Sequence, residues 1–434
     1  MADISFVRTE MLPEKAPPAS SVGLIGWIRE NLFSGWFNSV LTVLSLAFIY
    51  FVLASILPWI FQSSWTANSL NECREAISAT YGEGTSGACW AVVRERYLQL
   101  IYGFYPDHLY WRPNLAFVLT LGALAPILFS SLPRKMLWLA VVAPFAVPWL
   151  LWGGTIWTPV SAAMGFVLGF AAYTVVSRFN GSLAAVIAAI VVPILWWLFV
   201  AGTFASLLHS VLPVGLEAVE SRNFGGFMLS ITIGVTGIVC SLPIGIVLAL
   251  GRQSNLLIVR GLCIGFIEFI RGVPLITLLF VASTLLNIFM PPGTNFDIIL
   301  RVMIMVTVFA SAYMAEVIRG GLAALPKGQY EAADSLGLDY WKAQRLIIMP
   351  QALKISIPGI VNVAVGLFKD TTLVSVISMF DIVGMIRGPI LASAEWNGVY
   401  WELFGFASVL FFIVCYGISQ YSQWLERELQ TDHR

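Results

Sequence analysis

Long apolar runs separated by short polar connections dominate the pattern of hydrophobic and polar positions in this chain of 434 residues. A helix needs about 20 mostly apolar residues to cross a hydrocarbon core of about 30 Å, because lipid offers no hydrogen-bond partner to a free backbone. The segments that meet this requirement are 37–62, 114–130, 136–152, 157–176, 182–203, 225–250, 271–290, 299–318, 356–379 and 401–423. The pattern therefore predicts an all-α polytopic membrane protein with about ten transmembrane helices.

Composition narrows the possible functions. Hydrophobic residues make up 58% of the chain and charged residues 11%, whereas a soluble domain carries about 25% charged residues. A soluble globular enzyme is therefore excluded. The 24 basic residues balance the 24 acidic ones, so no long-range field attracts nucleic acid. The 3 histidines lie far apart and the 5 cysteines are few, so we expect no metal site.

The distribution of Lys and Arg predicts the orientation of the spans, since these residues are retained on the cytoplasmic side of short loops. With the amino terminus inside, the predicted crossings leave only Arg222, Arg301 and Arg387 beside short external loops. The stretch before the first span has no small-residue cleavage site after an apolar run, so we expect no signal peptide. Both termini are therefore predicted to be cytoplasmic.

The spans fall into two groups, because ionisable residues reappear inside or beside spans only in the second half of the chain. The predicted division is a cytoplasmic segment 1–36, five additional helices in 37–203 with an external loop 63–112, an external linker 204–224, a second helical domain 225–425 with a cytoplasmic loop 319–354, and a cytoplasmic tail 426–434.

The external loop contains two cysteines, Cys73 and Cys89, in an otherwise polar stretch. The compartment outside a bacterial inner membrane is oxidising, and a disulfide between these residues would close a small loop. We regard the pair as a candidate disulfide, with two free thiols as the alternative.

Charges near membrane depth in the second group cost roughly 2.5–3.5 kcal/mol each on insertion scales. Two pairs spaced i and i+3 are candidate structural ion pairs: Glu268 with Arg271, and Glu316 with Arg319. Because Gly272-Val273-Pro274 follows the first pair at once, we expect a helix break there and interpret 255–270 as a cytoplasmic interfacial helix.

Lys369-Asp370-Thr371-Thr372 lies near the middle of a predicted span. Adjacent helical residues point about 100° apart, so Lys369 and Asp370 cannot neutralise each other on one face. At least one of them should meet another helix or water. A contact between helices and a position on a translocation path both remain open.

The cytoplasmic loop 319–354 contains a helix, a glycine and a second helix. Glu331 to Leu336 is rich in helix formers, Gly337 can adopt the positive φ that ends a helix, and Asp339 can cap the next one. The apolar side chains available to enter a groove on a partner are Tyr330, Leu336, Leu338, Tyr340, Trp341 and Leu346. The loop is therefore a candidate docking element, with a loop that folds back on its own membrane face as the alternative.

At these residues the chain resembles the inner-membrane permeases of bacterial ATP-binding-cassette (ABC) importers. Their signature is Glu-Ala-Ala, three residues, Gly, nine residues, Ile, one residue and Leu-Pro. The matching positions are Glu331, Ala332, Ala333, Gly337, Ile347 and Pro350, with Met349 in place of Leu. The resemblance covers roughly residues 225–425, and within the family the chain is most like the polar amino-acid subgroup. The additional amino-terminal spans make the chain similar to the M-type permeases of general L-amino-acid importers.

The resemblance implies a type I importer core in the last five helices and a multi-pass protein of the bacterial inner (plasma) membrane. In that family the loop docks in a groove of a cytoplasmic ATPase dimer, with Gly337 at the bend and Glu331 near the ATPase surface. ATP and Mg²⁺ are bound by the ATPase, and no cofactor is expected on this chain. The other implied partners are a second permease (related or identical), a periplasmic amino-acid-binding protein and membrane lipid, with no nucleic acid.

The sequence itself is consistent with ATP being bound by a separate subunit. No Lys in the chain precedes Ser or Thr, so a GxxxxGK[ST] phosphate-binding loop is absent from the sequence. Two alternatives remain open. An ion-coupled secondary amino-acid transporter would also show many spans and a few buried charges, and a non-transporting membrane scaffold could use the same loop to bind a soluble partner.

Overall fold

The computed structural model describes residues 23–179, 181–285, 288 and 296–430. The predicted segment 1–36, the predicted span 271–290 and the predicted tail 426–434 therefore lie partly outside the described residues.

Helices make up most of the described chain. They are α1 (Gly23–Asn31), α2 (Trp36–Phe61), α3 (Leu70–Tyr81), α4 (Ala91–Tyr102), α5 (Trp111–Leu128), α6 (Leu137–Trp152), α7 (Trp157–Phe179), α8 (Ser182–Leu195), α9 (Ala201–Val211), α10 (Gly226–Arg252), α11 (Leu257–Gly272), α12 (Leu275–Phe280), α13 (Ile298–Ala324), α14 (Lys327–Ser335), α15 (Tyr340–Ala343), α16 (Met349–Asp370), α17 (Ile382–Met385) and α18 (Tyr400–Gln430).

Short elements connect or extend these helices. A two-residue strand β1 (Gly154–Thr155) pairs antiparallel with β2 (Gly215–Leu216). The 3₁₀ helices are Asp107–Leu109, Arg134–Met136, Ser221–Asn223 and Thr371–Ile377, and the π-helical turns are Trp196–Val200, Val281–Leu285, Gln344–Ile348 and Ile386–Ile390.

Within the described residues, 9 helical segments are long and apolar enough to cross a membrane. They are Trp36–Phe61, Asp107–Leu128, Arg134–Trp152, Trp157–Phe179, Leu183–Val211, Gly226–Arg252, Ile298–Ala324, Tyr340–Ile377 and Tyr400–Leu429. Each overlaps one predicted span, so the all-α polytopic fold is confirmed. The helix predicted at 182–203 continues to Val211, because the residues that follow it are still largely apolar.

The remaining predicted span begins at a sharp bend. Helix α11 ends at Gly272, Pro274 precedes α12, and the two helical segments meet at an angle of 99°. Pro274 has no N–H to continue the helical ladder, and it restricts Val273 to an extended backbone. The predicted helix break at 272–274 is therefore confirmed.

The contacts divide the chain into two compact units, with the boundary between Ala91 and Val92. In the first unit, α2 is apolar and has no buried residue, as expected for a helix surrounded by lipid. The side chain of Ser69 caps α3 by accepting the N–H of Glu72 (3.2 Å). A disulfide joins Cys73 to Cys89, so the candidate pair is bonded in this structure.

The second unit is built around α10 and α13, which pack along each other. Helix α16 packs on α13, and α18 packs on α16, while α5 pairs with α6 and α7 with α8. The shared core includes Leu229 and Ile233 of α10 with Val302 and Val306 of α13. The loop 319–354 begins at the carboxyl end of α13 and leads into α16.

The predicted linker 204–224 is anchored to the helices of the second unit. Phe224 is buried in the same core as α10 and α13. Fully buried Arg112 holds the segment by donating hydrogen bonds to the backbone carbonyls of Leu150 (2.7 Å) and Glu217 (2.8 Å). The domain division predicted at 204–224 stays a prediction, and the backbone carbonyls that anchor this segment are contacts that no pattern of side chains reveals.

Candidate functional site

Gly337 ends helix α14 in the middle of the loop 319–354. Its φ is +69°, and its N–H donates to the carbonyl oxygen of Asp334 (2.9 Å), while the N–H of Leu338 donates to that of Ala333 (3.2 Å). These two bonds form a Schellman motif. A Cβ at this position would have nothing within 4 Å, so the need for glycine is conformational and not steric. The motif explains why glycine follows Ala333 at this spacing.

Asp339 begins the second helix of the bend. Its carboxylate accepts the backbone N–H of Lys342 (3.0 Å) and pairs with its Nζ (3.0 Å). The hydrogen bond from that N–H, more than any other interaction, holds the pKa of Asp339 below its ordinary value. A π-helical turn then leads into α16, where Pro350 lies in the first turn and its missing N–H is tolerated.

One face of this bend packs on the membrane helices. Ile348 is buried in a core with Ile318 and Leu322 of α13, and Ile347 is partly buried against the same core. Ala333 is 1% exposed. The signature position Ile347 is therefore a packing residue that fixes the bend to the helices behind it, and Ala333 is a buried position within the bend.

Helices α13 and α16 approach closely where they support the bend. A Cβ at Gly321 would lie 2.1 Å from the Oγ of Ser356 and 2.5 Å from the carbonyl oxygen of Ala352. Nε2 of Gln351 donates to Oε1 of Gln329 (3.0 Å) and so ties α16 to α14. A displacement of the bend must therefore move both α13 and α16.

The opposite face of the bend is apolar and exposed. Leu336, Trp341 and Leu346 are 72%, 70% and 64% exposed. The helical segment Tyr340–Ile377 contains 38 residues, about 57 Å at 1.5 Å per residue, whereas the hydrocarbon core is about 30 Å thick. A segment of this length cannot lie wholly within the hydrocarbon core, and the exposed apolar side chains in and beside its first turns make this face a candidate docking surface.

A cluster of charged side chains joins three helices near this loop. Glu316 of α13 pairs with Arg319 (2.5 Å), Arg252 of α10 (3.2 Å) and Arg271 of α11 (3.5 Å). Arg252 also pairs with Glu268 of α11 (2.9 Å). The ends of α10, α11 and α13 are therefore held together by one shared carboxylate and its neighbours.

The predicted i,i+3 pairing is correct for one pair and wrong for the other. Glu316 and Arg319 pair, whereas Glu268 pairs with Arg252 and Arg271 pairs with Glu316. Three helices converge here, so a neighbouring helix supplies a nearer partner than the residue's own helix. Arg252 is the member of this charge cluster that sequence reasoning misses, since its position at the end of a span indicates only an interface charge.

The structure places Lys369 and Asp370 at the carboxyl end of α16, where the chain continues as the 3₁₀ helix Thr371–Ile377. The Oγ1 atoms of Thr371 and Thr372 donate to carbonyl oxygens of their own helix. Lys369 and Asp370 form no salt bridge with any residue that the structure describes. Their role in a translocation path stays a prediction.

A fully buried carboxyl group, Asp381, lies after that helix and has no sequence pattern to distinguish it. It caps α17 by accepting the N–H groups of Gly384 (2.9 Å) and Val383 (3.3 Å). Burial raises its pKa to about 7, and neither these hydrogen bonds nor the charge of Arg387 offsets that effect. The N–H of Gly226 donates to the neighbouring carbonyl of Phe380 (2.8 Å), which joins this segment to the start of α10.

Comparison with known proteins extends these observations. Residues 241–423 match the binding-protein-dependent transport system inner membrane component family. The chain is 54% identical over 434 residues to the glutamate/glutamine/aspartate/asparagine transport system permease protein BztC of Rhodobacter capsulatus, covering 100% of both chains. It is 40% identical over 420 residues to the inner membrane amino-acid ABC transporter permease protein YhdY of Escherichia coli K12, covering 96% of each.

A solved structure is also similar, the crystal structure of an amino acid ABC transporter with histidines. The identity is 28% and the TM-score 0.42, with 47% of this chain and 92% of that chain covered.

The polytopic helical fold defines an integral membrane protein. The two relatives, aligned over nearly the whole chain, make the assignment specific. The chain belongs to the amino-acid ABC transporter permease family, so the resemblance carried by Glu331, Ala332, Ala333 and Gly337 is confirmed.

Proposed function

We propose that this chain is a membrane-spanning subunit of an ATP-driven importer that moves L-amino acids from a periplasmic binding protein to the cytoplasm by alternating access. A separate ATPase dimer binds ATP and Mg²⁺ and hydrolyses the ATP. A second permease, identical or related, completes the membrane part. The name of BztC, at 54% identity, favours acidic amino acids and their amides as the first substrates to test.

The observation that carries this proposal is the two-sided bend around Gly337. Its inner face is packed on α13 and α16, whereas its outer face leaves Leu336, Trp341 and Leu346 exposed. A short helical element with exposed apolar side chains suits a groove on a partner protein. The close packing behind it then transmits movement of that partner to the spans.

We place both termini in the cytoplasm of a bacterium and the protein in its inner (plasma) membrane. The loop 319–354 carries Arg319, Lys327, Lys342, Arg345 and Lys354, and basic loops remain cytoplasmic. On this orientation the disulfide between Cys73 and Cys89 lies in the oxidising compartment, which is where such bonds persist.

Transport by purified components tests the proposal. The permease, its candidate ATPase and the second permease are reconstituted in vesicles, and uptake of radiolabelled glutamate and glutamine is measured with and without ATP and the binding protein. We expect uptake only when ATP, the ATPase and the binding protein are all present. Uptake driven by an ion gradient through this chain alone would establish a secondary transporter instead, and binding of the partner without uptake would establish a scaffold.

A matched pair of tryptophan variants tests the docking surface. Trp341→Ala removes an exposed ring from the bend, and Trp401→Ala removes an equally exposed ring from the start of α18. We expect only Trp341→Ala to reduce co-purification of the ATPase and ATP-driven uptake. Equal retention of the ATPase by both variants would contradict the placement of the docking surface.

A further inference from the structure

A long apolar crevice separates two pairs of membrane helices in the second unit. Helix α5 packs along α6 and α10 packs along α13. The two pairs meet less extensively, at Ala116, Leu150 and Leu151, which share a core with α10 and α13. The main cavity between them measures about 590 Å³, and a cavity of about 330 Å³ adjoins it. Both are lined by Val147, Thr232 and Thr236, so they form one crevice. Each volume is within the range of about 300–1,000 Å³ that ligand sites occupy.

The walls of the crevice do not suit a transported amino acid. Several of its polar groups already have partners within the protein. Oγ1 of Thr120 donates to the carbonyl oxygen of Ala116 (2.7 Å), that of Thr232 to the carbonyl oxygen of Met228 (2.8 Å), and the hydroxyl group of Tyr102 to Oδ1 of Asn114 (2.8 Å). The rest of the wall consists mainly of Ala, Val, Leu, Ile and Pro side chains. A zwitterion would lose its hydration there without gaining a charged partner along the wall. The occupant must therefore be largely apolar.

One end of the crevice is polar. Nε1 of Trp152 donates to Oγ of Ser221 (2.7 Å), and that hydroxyl donates to the carboxylate of Asp297. Trp152 is the last residue of α6, and Asp297 caps α13, so both lie at helix ends on the side opposite the loop 319–354. Trp152 and Asp297 both line the main cavity. The crevice therefore runs from a polar mouth at the edge of the bilayer to an apolar interior.

The length of the crevice matches one leaflet. Along α6 its lining extends from Ala140 to Trp152, which is about 18 Å at 1.5 Å per residue. Half of a hydrocarbon core of about 30 Å is about 15 Å. The lining is only partly enclosed, and at this depth in a bilayer the surroundings are acyl chains.

We propose that this crevice binds one phospholipid from the leaflet opposite the loop 319–354. Its acyl chain lies between the α5–α6 pair and the α10–α13 pair, and its polar head lies at the mouth formed by Trp152 and Asp297. The polarity gradient selects an amphiphile over a second transmembrane helix, which would be apolar through the whole leaflet. The bound lipid thereby fills the gap that joins the additional helices to the permease core.

Neighbouring residues of α6 provide a matched test. Ala143 lines the crevice and is buried, whereas Val142 is exposed on the same turn and is absent from the lining. Ala143→Phe fills the crevice, and Val142→Phe adds a ring of the same size to the outer surface. Thr236→Leu fills it from α10 and serves as a second variant should Ala143→Phe fail to assemble.

The readout is the number of phospholipids retained by the purified transport complex, counted by native mass spectrometry after delipidation in detergent. We expect the wild type and Val142→Phe to retain one more phospholipid per copy of this chain than Ala143→Phe and Thr236→Leu do. Equal retention in all four proteins would overturn the proposal.

Cross-linking identifies the occupant directly. Cys240 lines the crevice, while Cys263 and Cys415 do not and are replaced by Ser. A thiol-attached photoreactive group at Cys240 should yield a phospholipid adduct in the assembled complex in membranes. A peptide adduct from another subunit would show that protein fills the crevice and would overturn the lipid assignment.

Discussion

The bend at Gly337 gives the sharpest test of the docking account, because the cost of changing it follows from its backbone alone. The residue adopts φ +69°, and a Cβ would meet nothing within 4 Å. Steric clash with neighbours therefore contributes nothing, and the penalty is that of a side chain in the left-handed region, about 1–2 kcal/mol. Such a penalty lowers the ratio of bent to alternative conformations by a factor of about 5–30.

The variants Gly337→Asn, Gly337→Ala and Gly337→Val should be ordered by their tolerance of that region. Asn enters it most readily, Ala pays the full cost, and the β-branched Val pays more. Because a ligand that binds only the bent state has its apparent Kd divided by the fraction bent, Ala should raise the Kd for the ATPase by up to about 5–30-fold. Val should raise it further, and Asn should raise it least.

The assay is titration of the permease complex in lipid nanodiscs with purified ATPase, followed by ATP-driven uptake in vesicles. Gly328→Ala is the control, since Gly328 is also exposed with nothing near its Cβ but lies in helix α14 without a positive φ. We expect that control to bind the ATPase as tightly as the wild type. Wild-type affinity and uptake in Gly337→Val, or the same loss in Gly328→Ala, would refute the reasoning.

Three further predictions concern the charge cluster, the disulfide and the buried carboxyl group. Glu316→Gln removes the carboxylate that three guanidinium groups share and should destabilise the purified protein by about 1–2 kcal/mol after screening. Glu268→Gln removes a single ion pair that is more exposed to solvent, so it should destabilise the protein less. Equal shifts in Tm would contradict this order. Cys73→Ser removes a disulfide across a sequence separation of 16 residues, which is worth about 3 kcal/mol in the chain-entropy model. Limited proteolysis should therefore cut the segment around residue 73 faster than in the wild type. An unchanged rate of cleavage would contradict a stabilising role for the disulfide. The native pKa of Asp381, about 7, exceeds the value of 3.8 for an unperturbed carboxyl group. Between these two pH values the native state holds a proton that the unfolded state releases. The free energy of unfolding should therefore fall by up to about 4 kcal/mol as pH rises from about 4 to about 7. Asp381→Asn keeps a capping side chain that does not titrate, so its stability should exceed that of the wild type at pH 8 and approach it toward pH 4; a difference independent of pH would refute the burial argument.

The features that the sequence predicts well are those decided within a few residues. The Schellman motif joins Ala333 to Leu338, so helix formers, one glycine and one capping residue are enough to predict the bend. The break before α12 is similar, because Pro274 acts on its own helix and on the preceding residue. Span positions follow from runs of about 20 apolar residues.

The features that the sequence does not predict depend on which helices come together. Arg252 and Glu316 are 64 residues apart and pair only because α10 packs along α13. Arg301 belongs to the same class: a rule for loop charges places it beside an external loop, yet it is 5% exposed and its Nη1 donates to the carbonyl oxygen of Ala282 (2.9 Å). A guanidinium group bound to carbonyls leaves no charge pattern in the sequence, so such anchors require the structure.

The packing behind the bend and the ion pairs of Glu316 determine which helices a movement of the bend can reach. Its inner face contacts α13 and α16 directly, and Glu316 of α13 then joins the ends of α10 and α11 through Arg252 and Arg271. A displacement of the bend by a docked partner therefore meets α10, α11, α13 and α16 through packing and ion pairs. Helices α5 and α6 meet α10 and α13 less extensively. Helix α5 meets this core at Ala116, and the hydroxyl group of Tyr421 of α18 donates to the carbonyl oxygen of Leu128 at the end of α5 (2.6 Å). The proposed lipid would fill the remaining gap between the α5–α6 pair and the α10–α13 pair while the core moves.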